Sequence, residues 1–69
     1  MDSNWTLVLS DADSTRVKII QNLLDSEGLT TSMIDHSDSS FPSNAESELY
    51  VKNEDADRAH ILIEEFQNQ

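Results

Sequence analysis

The sequence predicts an α+β domain of β-α-β-β-α order, with a three-stranded mixed sheet (order 2-3-1) and two helices on one face. Three observations carry this. Two stretches place apolar residues at helical spacing, 3 to 4 residues apart. Three short runs rich in β-branched, aromatic and aliphatic residues lie around them. The single glycine and the single proline, Gly28 and Pro42, both fall between these segments.

Residues 5–10, Trp-Thr-Leu-Val-Leu-Ser, read as the first strand, with Trp5, Leu7 and Leu9 on one side and Thr6 and Val8 on the other. Ser10 with Asp13 resembles a capping box, Asp replacing the usual Glu. From about 12 to 27, Val17, Ile20 and Leu24 form an apolar stripe widened by Ile19 and Leu23, so this segment is an amphipathic helix. Gly28 stands where a left-handed residue ends a helix. Residues 29–34, Leu-Thr-Thr-Ser-Met-Ile, form the second strand. The Ser-rich, acidic stretch 35–46 contains Pro42 and reads as a long, flexible loop. Residues 47–52 form the third strand, with Leu49 and Val51 inward and Glu48, Tyr50 and Lys52 outward. Asn53 is placed to cap the last helix, whose buried stripe is Ala56, Ala59, Leu62, Ile63 and Phe66. Glu54 with Arg58 and His60 with Glu64 have the i,i+4 spacing of helical pairs. The third strand belongs between the first two, antiparallel to both, as in a split βαβ unit.

At 69 residues the chain makes one small domain, structured over about 5–67. Leu, Ile, Val and Phe supply 17 residues, about 25%, above the roughly 20% below which a charged chain stays unfolded. The core is therefore sufficient but small, and a partner chain would add to it. The formal charge is −10, from 14 acidic and 4 basic side chains. That charge repels phosphate backbones and anionic lipid, so neither nucleic acid nor membrane is an expected partner. No apolar run is long enough to cross a bilayer, and the acidic opening Met1-Asp2-Ser3-Asn4 is unlike a secretory leader, so the expected compartment is the cytoplasm. Cysteine is absent, which removes disulfides, thiolate metal sites and a thiol nucleophile.

No cofactor or catalytic constellation is expected. Asn53, Asp55, Asp57 and Glu64 echo a calcium loop, but Arg58 stands where that loop needs glycine, and the segment carries helical periodicity. Asp35, His36 and Asp38 could supply metal ligands, yet the set is too small for a fixed site. There is no Gly-x-Ser-x-Gly elbow and no glycine-rich phosphate loop. An enzyme is not expected.

The informative surface is the sheet face opposite the helices, where alternation places Thr6, Val8, Thr30, Ser32, Ile34 and Tyr50. Val8, Ile34 and Tyr50 make a half-apolar patch of the kind that marks an interaction site. The first strand offers a free edge, which invites pairing with another chain. Asp38, Ser39, Ser40 and Phe41 in the loop are candidate specificity contacts, with Phe41 as anchor. The expected partner is a protein or a second copy of the chain.

The chain also resembles a family of small bacterial domains described as putative prokaryotic signal-transducing proteins, over about residues 5–66. The resemblance rests on the strand opening with an aromatic residue, on Asn22-Leu23-Leu24-Asp25-Ser26-Glu27-Gly28-Leu29, on Asp38-Ser39-Ser40-Phe41, and on Glu48-Leu49-Tyr50-Val51-Lys52 running into Glu54-Asp55-Ala56-Asp57-Arg58-Ala59. It implies a ferredoxin-like fold lacking the last strand, related in shape to PII-type regulators. It supplies no established activity and no agreed active residues; the open sheet face and the free strand edge lead to the expectation of a regulatory protein-interaction module. The alternative is a small-molecule sensor of PII-like type, binding a metabolite at a dimer cleft.

Overall fold

The structure, a computed structural model, describes residues 3–35 and 47–68. The elements follow the expected order: β1 (Trp5–Asp11), α1 (Ser14–Ser26), β2 (Thr31–Asp35), β3 (Ser47–Lys52), a 3-10 turn (Asn53–Asp55) and α2 (Ala56–Gln67). The sheet order is β1-β3-β2, with β3 antiparallel to both neighbours. This is the expected order read from the other edge. The expectation of a mixed sheet is corrected: β1 and β2 run the same way but never touch, so each ladder is antiparallel.

Alternation along β3 is strict. Ser47, Leu49 and Val51 are buried, while Glu48, Tyr50 and Lys52 are half-exposed. Leu49 and Val51 join Val17, Ile20 and Leu24 of α1, Ala59 and Ile63 of α2, and Leu29 in one core. Both helices therefore cover the same sheet face. Among the described residues the one buried polar side chain is Ser47, whose hydroxyl donates to Asp35 Oδ1 at 3.1 Å. That bond offsets the cost of placing a hydroxyl in the core.

The ends of α1 are set by two residues. Asp13 is the N-cap; its Oδ1 accepts from the amides of Thr15 (3.0 Å) and Arg16 (3.4 Å). Asp11 Oδ1 accepts from the Asp13 amide at 2.8 Å, tightening the turn ahead of the helix. Ser10 is still in the strand, so the capping box expected there is replaced by this pair of aspartates. At the other end Gly28 has φ +88°. Its amide donates to Asp25 O (3.0 Å), and the Leu29 amide donates to Leu24 O (3.1 Å). This is a Schellman motif, with Leu24 and Leu29 both buried in the core beside it.

α2 starts differently from expectation. Asn53 opens the 3-10 turn, and no side-chain cap bond is made there or at Asp55. The Asn53 side chain instead accepts from Thr6 Oγ1 at 2.6 Å and donates to the Ser3 carbonyl, while its amide donates to Asn4 O at 3.0 Å. Asn53 thus fastens the start of β1 to the end of β3. Arg58, expected to pair with Glu54, reaches across to Glu27 Oε1 at 3.1 Å and links α2 to the end of α1. Thr31 Oγ1 accepts from Gln21 Nε2 (3.1 Å) and donates to Asp25 Oδ1 (2.7 Å), which fixes α1 against β2.

Candidate functional site

The sheet face away from the helices is uncovered by any described element. Its side chains follow from the strand register. Leu7 pairs with Tyr50 and Tyr50 with Ser32, forming the central row. Ser10, Glu48 and Ile34 form a second row, and Trp5 with Lys52 a third. Residues directly opposite in antiparallel strands share a face, so these eight lie together.

Three of the expected members are there: Ser32, Ile34 and Tyr50. Val8 is not. The register of β1 against β3 shifts between Leu7 and Leu9, so two residues of β1 oppose one of β3. This β-bulge turns both Val8 and Leu9 toward the helices, and both pack against the core. Strict alternation, which places Leu7 with Leu9, fails at that point. Leu7 takes the outward position, 44% exposed. Sequence reasoning thus put four residues of β1 on the wrong side: Trp5 and Leu7, which face outward, and Thr6 and Val8, which face the helices. Thr6 sits opposite Val51 on the helix side, and Thr30 precedes β2. The remaining candidates, Asp38, Ser39, Ser40 and Phe41, lie outside the described residues, as does His36 and most of the loop 35–46.

The face is held by contacts between neighbours. Lys52 Nζ stands 4.4 Å from the centroid of the Trp5 ring. A cation at that distance over an indole is attracted to its π face and fixes the ring against the sheet. The Tyr50 hydroxyl donates to Glu48 Oε1 at 3.2 Å. Partial desolvation on the sheet raises the phenol above its ordinary value near 10, and the Glu48 carboxylate adds to this through its charge and the accepted hydrogen bond.

The electrostatics of this face differ from those of the rest. The chain carries −10, yet the eight side chains named above include one carboxylate and one ammonium, Glu48 and Lys52. Trp5, Leu7, Ile34 and Tyr50 supply the rest of the useful area. The face is therefore neutral and aromatic-rich on an otherwise acidic molecule. The other exposed large hydrophobics among the described residues, Ile19 and Ile61, stand singly on the two helices. Single exposed hydrophobes are ordinary.

Other arrangements offer less. β1 and β2 are both outer strands among the described residues, but the bulge in β1 interrupts the regular edge that an added strand would need. The Asn53, Asp55 and Asp57 carboxylate and amide groups lie along the start of α2, not around a loop. No group of three metal-ligating side chains occurs among the described residues. A hollow of about 190 Å³ lies among Asn4, Lys52, Asn53 and Glu54, and one of about 440 Å³ among Arg16, Ile20, Phe66 and Gln67 on the helix side. Neither adjoins the central row of the open face. No described helix is long and apolar enough to cross a membrane.

Searches of curated proteins and of solved structures each found no match. A family model described as "Putative prokaryotic signal transducing protein" matches residues 5–67, which spans every described strand and helix. The chain belongs to that family.

Proposed function

We propose that this chain is a non-enzymatic, regulatory protein-interaction module that works by docking its open sheet face on a protein surface. One observation carries the reading: the face formed by Trp5, Leu7, Ile34 and Tyr50 is neutral and partly apolar while the molecule as a whole is strongly acidic. Interface cores are depleted in charge and enriched in aromatic residues, and this face has that composition. The surrounding negative charge repels acidic bystanders and so favours specific encounters.

The β-α-β-β-α order with β3 central matches a ferredoxin-like fold lacking its last strand, and we take the fold in that sense. In such a fold the bare sheet face is the natural docking surface, since both helices are already committed to the core. The cytoplasm is the compartment this reading assumes. A signalling role rests on the family description alone, an association rather than a mechanism.

The test compares faces. Tagged wild-type chain, Leu7→Asp, Tyr50→Asp and Ile61→Asp serve as bait in the native host, with untagged copies of the chain also present. Circular dichroism checks that each variant is folded. Wild type and Ile61→Asp should retain the same proteins, and both face variants should lose them. Retention by Leu7→Asp and Tyr50→Asp would overturn the reading.

A further inference from the structure

We propose that the occupant of the open face is a second copy of the same chain, packed sheet against sheet about a two-fold axis that crosses β3 at Tyr50 and runs perpendicular to the strands. This rests on the reading that the open face is the working surface. Along β3 the outward side chains are Glu48, Tyr50 and Lys52: an anion, an aromatic ring and a cation at equal spacing. That pattern is its own complement when reversed. The stated axis sets β3 of one copy antiparallel over β3 of the other. Glu48 then faces Lys52 of the second copy, and Lys52 faces its Glu48. The two Tyr50 rings meet at the centre, with the two Leu7 side chains meeting beside them.

The charges also exclude the other symmetric arrangement. An axis along the strands would place Glu48 on Glu48 and Lys52 on Lys52, which is repulsive at both ends. An isologous contact must place a patch on itself, and only the perpendicular axis does so with opposite charges apposed. Glu48 and Lys52 are four residues apart, so each lies about 7 Å along the strand from Tyr50. Among the described residues, the other carboxylates are on the helices, turns and strand ends, outside the contact. A cationic partner fits less well, since the face offers one carboxylate, already accepting from Tyr50, and an ammonium held over Trp5.

The size of the face sets the strength. Three strands about 4.8 Å apart and three rows of side chains cover roughly 300 Å² per copy. That is well under the roughly 800 Å² per partner of a standard stable interface. A contact of that size is weak and reversible; area alone does not fix affinity, and the Kd expected of the proposal is on the order of 100 μM.

Sedimentation velocity from about 10 μM to about 1 mM tests this, in about 150 mM salt where the Debye length of about 8 Å screens distant charges but not contact pairs. Wild type should dimerise with the Kd given above. Glu48→Lys and Lys52→Glu should each weaken it by about fivefold or more, and the double variant should return to within about twofold of wild type. Bulk charge predicts otherwise: Glu48→Lys makes the chain two units less negative, at −8, and Lys52→Glu two units more so, at −12. If Glu48→Lys dimerises more tightly than wild type, if the double variant is no better than the singles, or if wild type is monomeric at about 1 mM, self-pairing is overturned. A monomer whose host partners still depend on Leu7 and Tyr50 would leave the docking reading standing with a different occupant. Circular dichroism monitors folding, and Glu48→Gln with Lys52→Gln repeats the cycle if a reversed charge disturbs it; the double should then be no weaker than either single.

Discussion

Placing an aspartate at position 7 or at position 8 separates the bulged strand from a regular one. Both substitutions replace an aliphatic residue in β1, add one negative charge and lower strand propensity, differences in which stay within about 1 kcal/mol. They differ in which side of the sheet receives the carboxylate. Val8 packs against the core, so Val8→Asp removes apolar burial worth about 1 kcal/mol and places a charge against the apolar cluster. The desolvation of that charge adds a few kcal/mol more, for a total of about 3 kcal/mol or above. A 69-residue domain has about 3–10 kcal/mol to lose. Val8→Asp should therefore be largely unfolded at 25 °C or melt far below wild type. Leu7 is 44% exposed on the open face, and its replacement keeps the carboxylate in water, at a cost of about 1 kcal/mol. Urea titration followed by far-UV circular dichroism measures both. A Leu7→Asp chain that unfolds while Val8→Asp stays folded would refute the bulge and restore strict alternation.

Gly28→Ala should lower the Tm by roughly 4–8 °C, since a left-handed L-residue costs about 1–2 kcal/mol, partly offset by a stiffer unfolded chain. The Cβ of an L-residue there would meet nothing within 4 Å, so the loss comes from the backbone conformation and not from a clash; a synthetic chain with D-alanine at 28, which favours positive φ, should be less destabilised than Gly28→Ala, and equal destabilisation by both enantiomers would contradict the geometry. Asn53→Ala should cost about 1 kcal/mol and loosen the start of β1 in hydrogen exchange, without loss of α2 helicity. An ultraviolet absorbance titration should find the Tyr50 phenol ionising above its ordinary value, and Glu48→Gln should bring it back toward that value. Because the folded phenol is raised, its contribution to stability is complete below about pH 10 and is lost as pH rises through the folded value, leaving neutral pH unaffected. A thermal-shift screen of nucleotides and amino acids should leave the Tm unchanged; a rise of several degrees would favour the metabolite-sensing alternative.

The sequence revealed elements wherever a local pattern had one physical cause. Val17, Ile20 and Leu24 repeat at helical spacing because that stripe is the core side of α1, and all three are fully buried. Gly28 was legible because only glycine occupies φ +88° without penalty. The strict alternation of β3 identified Tyr50 as outward because a central strand is held in register on both sides. What was not legible arises from contacts distant in sequence. The bulge that exchanges Val8 for Leu7 is a property of the β1–β3 pairing, and Trp-Thr-Leu-Val-Leu carries no glycine to mark it. Asn53 has the chemistry of a cap, but the Ser3 carbonyl and Thr6 hydroxyl, some fifty residues away, compete for it successfully. Arg58 likewise finds Glu27 across the helix pair. The neutrality of the open face could be read only after the register was known, since the net charge of −10 gives no hint of it.

Two-dimensional amide NMR spectra at about 50 μM and about 1 mM, straddling the expected Kd, show directly which side of the molecule is used. Concentration-dependent shifts should concentrate at Trp5, Leu7, Ser32, Ile34, Glu48, Tyr50 and Lys52 and spare Ile19 and Ile61. Shifts centred on the outer helix surfaces, or spectra that superimpose at both concentrations, would contradict self-docking through the uncovered sheet.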